Sequence, residues 1–211
     1  MPARQQEIPV AGRKEIMRAR IFTAGLRGAV ALAALLAALA ASALAGAREG
    51  LPPDAWLRGV HADLRLIAAD SALGADGSVL AGIEVRPADG WKTYWRHPGA
   101  AGIAPDLDWS ASHNLARAEV FWPVPQRFET GGLPSLGYAG RVILPVRVTA
   151  ADPSKPVRLV LKAAFGVCSD LCLLEEGTAT LDLPAGDARP TGDWPALALA
   201  ESLVPADAAE A

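Results

Sequence analysis

Cysteine and histidine are scarce here: two of the first and three of the second in 211 residues. A structural zinc site takes four Cys or His ligands at short, regular spacing. The histidines stand singly, at His61, His97 and His113, so each reads as a surface residue and no metal site is expected. Positive charge is also short, with 20 Lys and Arg against 23 Asp and Glu. A surface of that sign repels phosphate backbones, which argues against nucleic acid as a partner. There is no G-x-S-x-G, no phosphate-binding glycine loop and no carboxylate pair with a recognisable partner, so hydrolase chemistry has no support. Beyond the N-terminal region, no apolar run approaches the roughly 20 residues that a bilayer span needs.

What the N-terminus does contain is a three-part export pattern. Arg13, Lys14, Arg18, Arg20 and Arg27 form a basic lead-in. An uncharged run of Ala, Leu and Val from Ala29 to Ala45 follows, and small residues in A-x-A spacing end it. This predicts a signal peptide over residues 1–47 that is cleaved, with Met17 as an alternative start, and a periplasmic mature protein. A retained membrane anchor is the competing reading. Removing the leader takes away six basic and two acidic residues and leaves a net charge of about −7.

Past the leader, hydrophobic residues alternate with a period of two, the pattern of half-buried strands. Val60, Ala62, Leu64, Leu66 and Ala68 share one face of the first strand. Val79 to Val85 gives the second, and the aromatic stretch Trp91-Lys92-Thr93-Tyr94-Trp95-Arg96 the third, ended by His97-Pro98-Gly99. Residues 100–114 read as a long loop, Ala118 to Trp122 as a fourth strand, and Gln126 to Gly140 as a second long loop. Val142 to Val148 is a fifth strand. Pro145 within it cannot donate to a ladder, which predicts an edge or a bulge there. Val157 to Phe165 and Thr178 to Leu183 complete seven strands, and Trp194 to Leu203 reads as a helix with Asp193 as N-cap. The expectation is all-β: an immunoglobulin-like antiparallel β-sandwich over residues 48–185, then a C-terminal tail at 186–211 with a short helix.

The two cysteines, Cys168 and Cys172, follow the sixth strand, separated by Ser169-Asp170-Leu171. A hairpin with a three-residue loop would set them opposite each other at a separation that accepts a disulfide. A loop so short adds only about 2 kcal/mol by chain entropy, which suits an exchanging pair as well as a staple. Asp170, Glu175 and Glu176 flank the pair, and no Lys or Arg lies within the stretch. Acidic neighbours disfavour a thiolate. Spacing alone leaves exchange and a staple both open.

A wider set of residues resembles a known family. Gly90-Trp91-Lys92-Thr93-Tyr94-Trp95-Arg96 with His97-Pro98-Gly99, then Asp108-Trp109-Ser110, Trp122-Pro123-Val124-Pro125-Gln126-Arg127-Phe128, Gly137-Tyr138, Val142-Ile143-Leu144-Pro145-Val146, and Gly166-Val167-Cys168 with Leu171-Cys172 occur in that order. Together they resemble the N-terminal periplasmic domain of DsbD-type thiol:disulfide interchange proteins, especially the ScsB-like branch. The resemblance implies a domain that passes electrons through Cys168 and Cys172 to periplasmic thioredoxin-fold proteins, without a cofactor. It implies Cys172 as the attacking thiol, Cys168 as the resolving one, and a separate membrane electron donor. It also implies a shield over the pair, for which Phe128, Tyr138, Trp91 and Trp95 are the candidates. The alternative function class is a non-catalytic periplasmic binding module in copper or other metal tolerance.

Overall fold

The computed structural model describes residues 56–206, which form eleven strands and one helix. The leader at 1–47 and the exposed lead at 51–54 lie outside the described residues. In chain order the elements are β1 (Leu57–Arg58), β2 (Ala62–Ala68), β3 (Ser78–Pro87), β4 (Lys92–Gly99), β5 (Asp106–Asp108), β6 (Leu115–Val120), β7 (Gln126–Thr130), β8 (Leu133–Ala139), β9 (Val142–Ala150), β10 (Val157–Cys168), β11 (Cys172–Leu183) and α1 (Trp194–Ser202). One sheet has the order β1-β2-β3-β9-β6. The other runs β11-β10-β4-β8-β7, with the short β5 also paired to β10. Every pairing between these strands is antiparallel. The expected β-sandwich is therefore the observed one.

Period-two alternation places the core. Leu64, Leu66, Ile83, Leu144, Val146 and Val148 from the first sheet meet Leu159, Leu161, Phe165 and Val167 from the second, all buried. The opposite face of the first sheet is not left to water. Ile67, Ala69 and Ile143 point outward there and are covered by Leu197 and Ala200 of α1. That cover is why β2 reads as almost continuously buried rather than alternating.

Beside α1, the outer face of the first sheet carries a buried ionic cluster. Arg65 and Glu84 are register partners on β2 and β3, and Arg65 donates to the fully buried Glu84 carboxylate at 2.7 Å. Arg86 and Arg141 donate to its other oxygen. Burial pushes Glu84 up, but hydrogen bonds from Arg141, Arg65 and Arg86 outweigh it and hold the carboxyl below its ordinary value. Trp56 lies against the guanidiniums of Arg65 and Arg86, at 4.8 and 4.2 Å.

Several local expectations change. Val60 is 82% exposed and lies outside β2, because the strand begins only at Ala62. The loop expected at 126–140 is the hairpin β7–β8. Gly131 and Gly132, at φ of 59° and 79°, form a two-residue turn between Thr130 and Leu133, the geometry that favours glycine at both positions. The loop at 100–114 contains β5. Strand β4 runs on through His97-Pro98 to Gly99, with a register irregularity after Tyr94. Pro145 is neither at an edge nor at a bulge: β9 is flanked by β3 and β6, and its register with β3 is regular. The Pro145 carbonyl accepts from the Phe121 amide at 2.8 Å, just beyond the last residue of β6. A strand residue's N and C=O point the same way, so the missing donor faces the end of the β6 ladder, where little is lost. Asp193 precedes α1 but makes no side-chain cap; its carboxylate instead accepts from Arg65 at 3.0 Å.

Candidate functional site

The site grows from the longest hairpin in the molecule. Strands β10 and β11 pair over twelve positions, from Val157 opposite Leu183 to Cys168 opposite Cys172. Ser169, Asp170 and Leu171 close the turn, with the Ser169 amide donating to the Leu171 carbonyl at 3.1 Å. The expected three-residue loop is therefore present. Leu161, Ala163, Phe165 and Val167 face the core, so Gly166 and Cys168 face outward. Cys172 shares that face as the register partner of Cys168. The two are joined in a disulfide, with Cα atoms 4.2 Å apart.

The two cysteines differ in exposure. Cys168 is fully buried, whereas Cys172 is partly exposed. Tyr94 of β4 reaches the pair directly. The Tyr94 hydroxyl lies 3.3 Å from Cys172 Sγ. In the disulfide neither sulfur carries a hydrogen, so the hydroxyl is the donor. Tyr94 is itself buried, beside Gly166 and near Gly102. A Cβ on Gly166 would lie 2.7 Å from Ile103 and 2.9 Å from the Tyr94 ring. The absent side chain is what lets both pack over the strand. The Thr93 hydroxyl donates to the Gly166 carbonyl at 2.9 Å and ties β4 to the hairpin. The exposed Leu171 and Leu174, at 63% and 53%, flank Cys172 in sequence.

The register also brings a cation that the local sequence lacks. Lys92 is the β4 partner of Cys168. Its ammonium lies 5.1 Å from the centre of the Phe128 ring and donates to the Glu129 carbonyl at 3.4 Å. Of the acidic neighbours, Glu175 is engaged elsewhere: its carboxylate accepts from the amides of His61 at 2.7 Å and Val60 at 3.1 Å.

The aromatic candidates separate by face. Phe128, on β7, meets Lys92. Tyr138 is opposite Thr93 and packs in the core; its hydroxyl donates to the Pro123 carbonyl at 2.8 Å. Burial pushes the Tyr138 phenol far above its ordinary value, against a weaker pull from Arg96. Trp91 and Trp95 pack against the same core cluster. Trp91 stacks on His61 with ring centres 3.8 Å apart, and Trp95 meets His97 edge-on at 5.4 Å. Phe128 thus contacts Lys92, the register partner of Cys168, while Trp91, Trp95 and Tyr138 pack against the core. His113 pairs through its backbone with Arg158. Among the described residues, no three His, Cys, Asp or Glu side chains converge as a metal site. Lys92, Tyr94 and Ile103 did not stand out in the sequence. Alternation along β4 puts Lys92 and Tyr94 on one face; that this face carries the disulfide follows only from the register with β10.

Two packed antiparallel sheets, with a disulfide closing the end of a long hairpin on an outer face, define an immunoglobulin-like domain that presents a cysteine pair. The family model described as thiol:disulfide interchange protein DsbD, N-terminal, matches residues 63–184. The match takes in more than half of the chain and both cysteines: the chain belongs to this family of N-terminal domains. It is similar to the crystal structure of the N-terminal periplasmic domain of ScsB from Proteus mirabilis, at 29% identity and a TM-score of 0.57, over 72% of this chain and 58% of that one. The chain thus spans under two thirds of the ScsB domain. It also aligns with the reduced N-terminal domain of DsbD from Neisseria meningitidis at 20% identity, covering 69% of this chain and 98% of that one, with a TM-score of 0.29. No curated protein matches the chain.

Proposed function

We propose that this protein exchanges disulfides with thioredoxin-fold partners in the periplasm through Cys168 and Cys172. The observation that carries the reading is the unequal exposure of the two cysteines within one hairpin disulfide. In the reduced protein, the Cys172 thiolate attacks a partner disulfide. A mixed disulfide forms and one partner thiolate leaves. The Cys168 thiolate then attacks Cys172 Sγ, the second partner thiolate leaves, and the Cys168–Cys172 bond is restored. Two electrons pass to the partner, which takes up two protons. A membrane-embedded dithiol donor returns two electrons to the pair. The Tyr94 hydroxyl, already aimed at Cys172, supplies a hydrogen bond to its thiolate. Phe128 shields the pair between encounters.

Titration against glutathione tests the exchange role. A structural staple sits below about −300 mV. The expected result is a potential above that value; one well below it would make the bridge a staple. Export rests on the basic lead-in and apolar run of residues 1–47. Mass spectrometry of the N-terminus of protein from the native host should find the run absent. An intact run would mean a membrane-anchored protein.

A further inference from the structure

Lys92 stands between the disulfide strand and the β7–β8 hairpin. It pairs with Cys168 on one side and with Ala139 of β8 on the other. In the continuing ladder, Tyr94 is opposite Gly137, and Gly137 is opposite Gln126. Phe128 therefore sits four positions further along the strands than the Lys92 row, about 13 Å at the usual rise. The ammonium nevertheless lies 5.1 Å from the ring centre. Side chains standing upright on a flat sheet could not meet over that distance. The ring and the ammonium lean toward each other along the outer face, across the row that holds Tyr94, whose hydroxyl reaches Cys172.

We propose that Lys92 is a positioning residue, a cationic clamp that fastens the Phe128–Glu129 segment over the face carrying the disulfide. It acts through the Phe128 ring and the Glu129 carbonyl, and the proposal rests on the shielding role given to Phe128. A cation over an aromatic face is a directional attachment. It can open for a partner and close again without rebuilding the core. The hairpin carrying Phe128 has a single strand neighbour, β4, so a side-chain clip at its far strand has leverage over access to Cys172.

The test is the rate at which dithiothreitol reduces the full chain, compared for wild type, Lys92→Met, Lys92→Arg, Phe128→Ala and Lys92→Met with Phe128→Ala. Reduction proceeds by thiolate attack on Cys172 Sγ, with Cys168 leaving as a thiolate that takes up a proton. Lys92→Met should accelerate reduction by about two- to fivefold, with an unchanged melting temperature in the oxidised state. Lys92→Arg should restore the wild-type rate. In the Phe128→Ala background, Lys92→Met should give no acceleration, because the ring it holds is gone. A wild-type rate in Lys92→Met, or equal acceleration in both backgrounds, overturns the clamp. Slower reduction in Lys92→Met also overturns it, and assigns the ammonium to the departing Cys168 thiolate. Phe128→Ala separates the two readings: faster reduction there with no effect of Lys92→Met removes only the clamp, whereas no effect of either variant removes the shield.

Discussion

At the scale of single residues, the described part of the molecule keeps its buried charge in one place and its cysteine pair in another. Glu84 is fully buried, yet three guanidiniums reach its two oxygens. Burial opposes ionisation there, and the hydrogen bonds from Arg141, Arg65 and Arg86 prevail, so its folded-state pKa lies below the ordinary 4.5. A depressed carboxylate pKa adds stability that is present above the unfolded value and lost as pH falls through the folded one. Glu84→Gln leaves the buried Arg65 without its main anion and should cost about 3 kcal/mol at neutral pH. Thermal melts between pH 3 and 7 should show the wild type losing stability on the acid side. The variant should lose less over that range, because the group that titrates is gone. Equal acid limbs would mean that Glu84 is not the group responsible. Among the described residues, no comparable charge cluster surrounds the cysteines. There the residue-scale contrast is one of access, with Cys168 enclosed and Cys172 beneath the Tyr94 hydroxyl.

At the scale of elements, two segments decide the site: the β10–β11 hairpin and the strand β4 beside it. The hairpin was legible in the sequence. The alternation Val157, Leu159, Leu161, Ala163, Phe165 carries straight into Cys168, and a three-residue gap is a normal hairpin loop. The second hairpin, β7–β8, was not. Gly131-Gly132 is a hairpin signal, but its flanks, Gln126-Arg127-Phe128-Glu129-Thr130 and Leu133-Pro134-Ser135, show no apolar alternation. Strand β7 is an edge strand with one neighbour, and its residues need not bury a face. Pro145 misled for the opposite reason. A proline in a central strand is tolerated where the neighbouring ladder has just ended, and that ending is a fact of tertiary pairing. The faces of β4 depend on register with β10, which composition does not reveal. At Gly166 the hairpin packs directly against Tyr94 of β4 and against Ile103. Gly166→Val should lower stability by about 1–3 kcal/mol through overpacking, measurable by urea unfolding. An unchanged midpoint would show that Ile103 and Tyr94 yield without loss.

At the scale of the whole molecule, the architecture sets the core apart from the cysteine pair. The core lies between the sheets, α1 seals the outer face of the first, and the disulfide sits on the outer face of the second. A bridge over so short a loop adds only about 2 kcal/mol, so opening it leaves the sandwich to hold the site in shape. That separation is what a domain requires if it is to make and break the same bond repeatedly. The family match spans residues 63–184, a range that takes in both cysteines. The central claim is that Cys172 attacks and Cys168 resolves. Its most direct test is a tagged Cys168→Ser variant produced in the native host, analysed on non-reducing gels with identification of the shifted bands. Without the resolving thiol, the mixed disulfide has no internal route to release. The account predicts covalent complexes with periplasmic thioredoxin-fold proteins that disappear under dithiothreitol, and far fewer with Cys172→Ser. If neither single variant holds a partner, the exchange reading is contradicted.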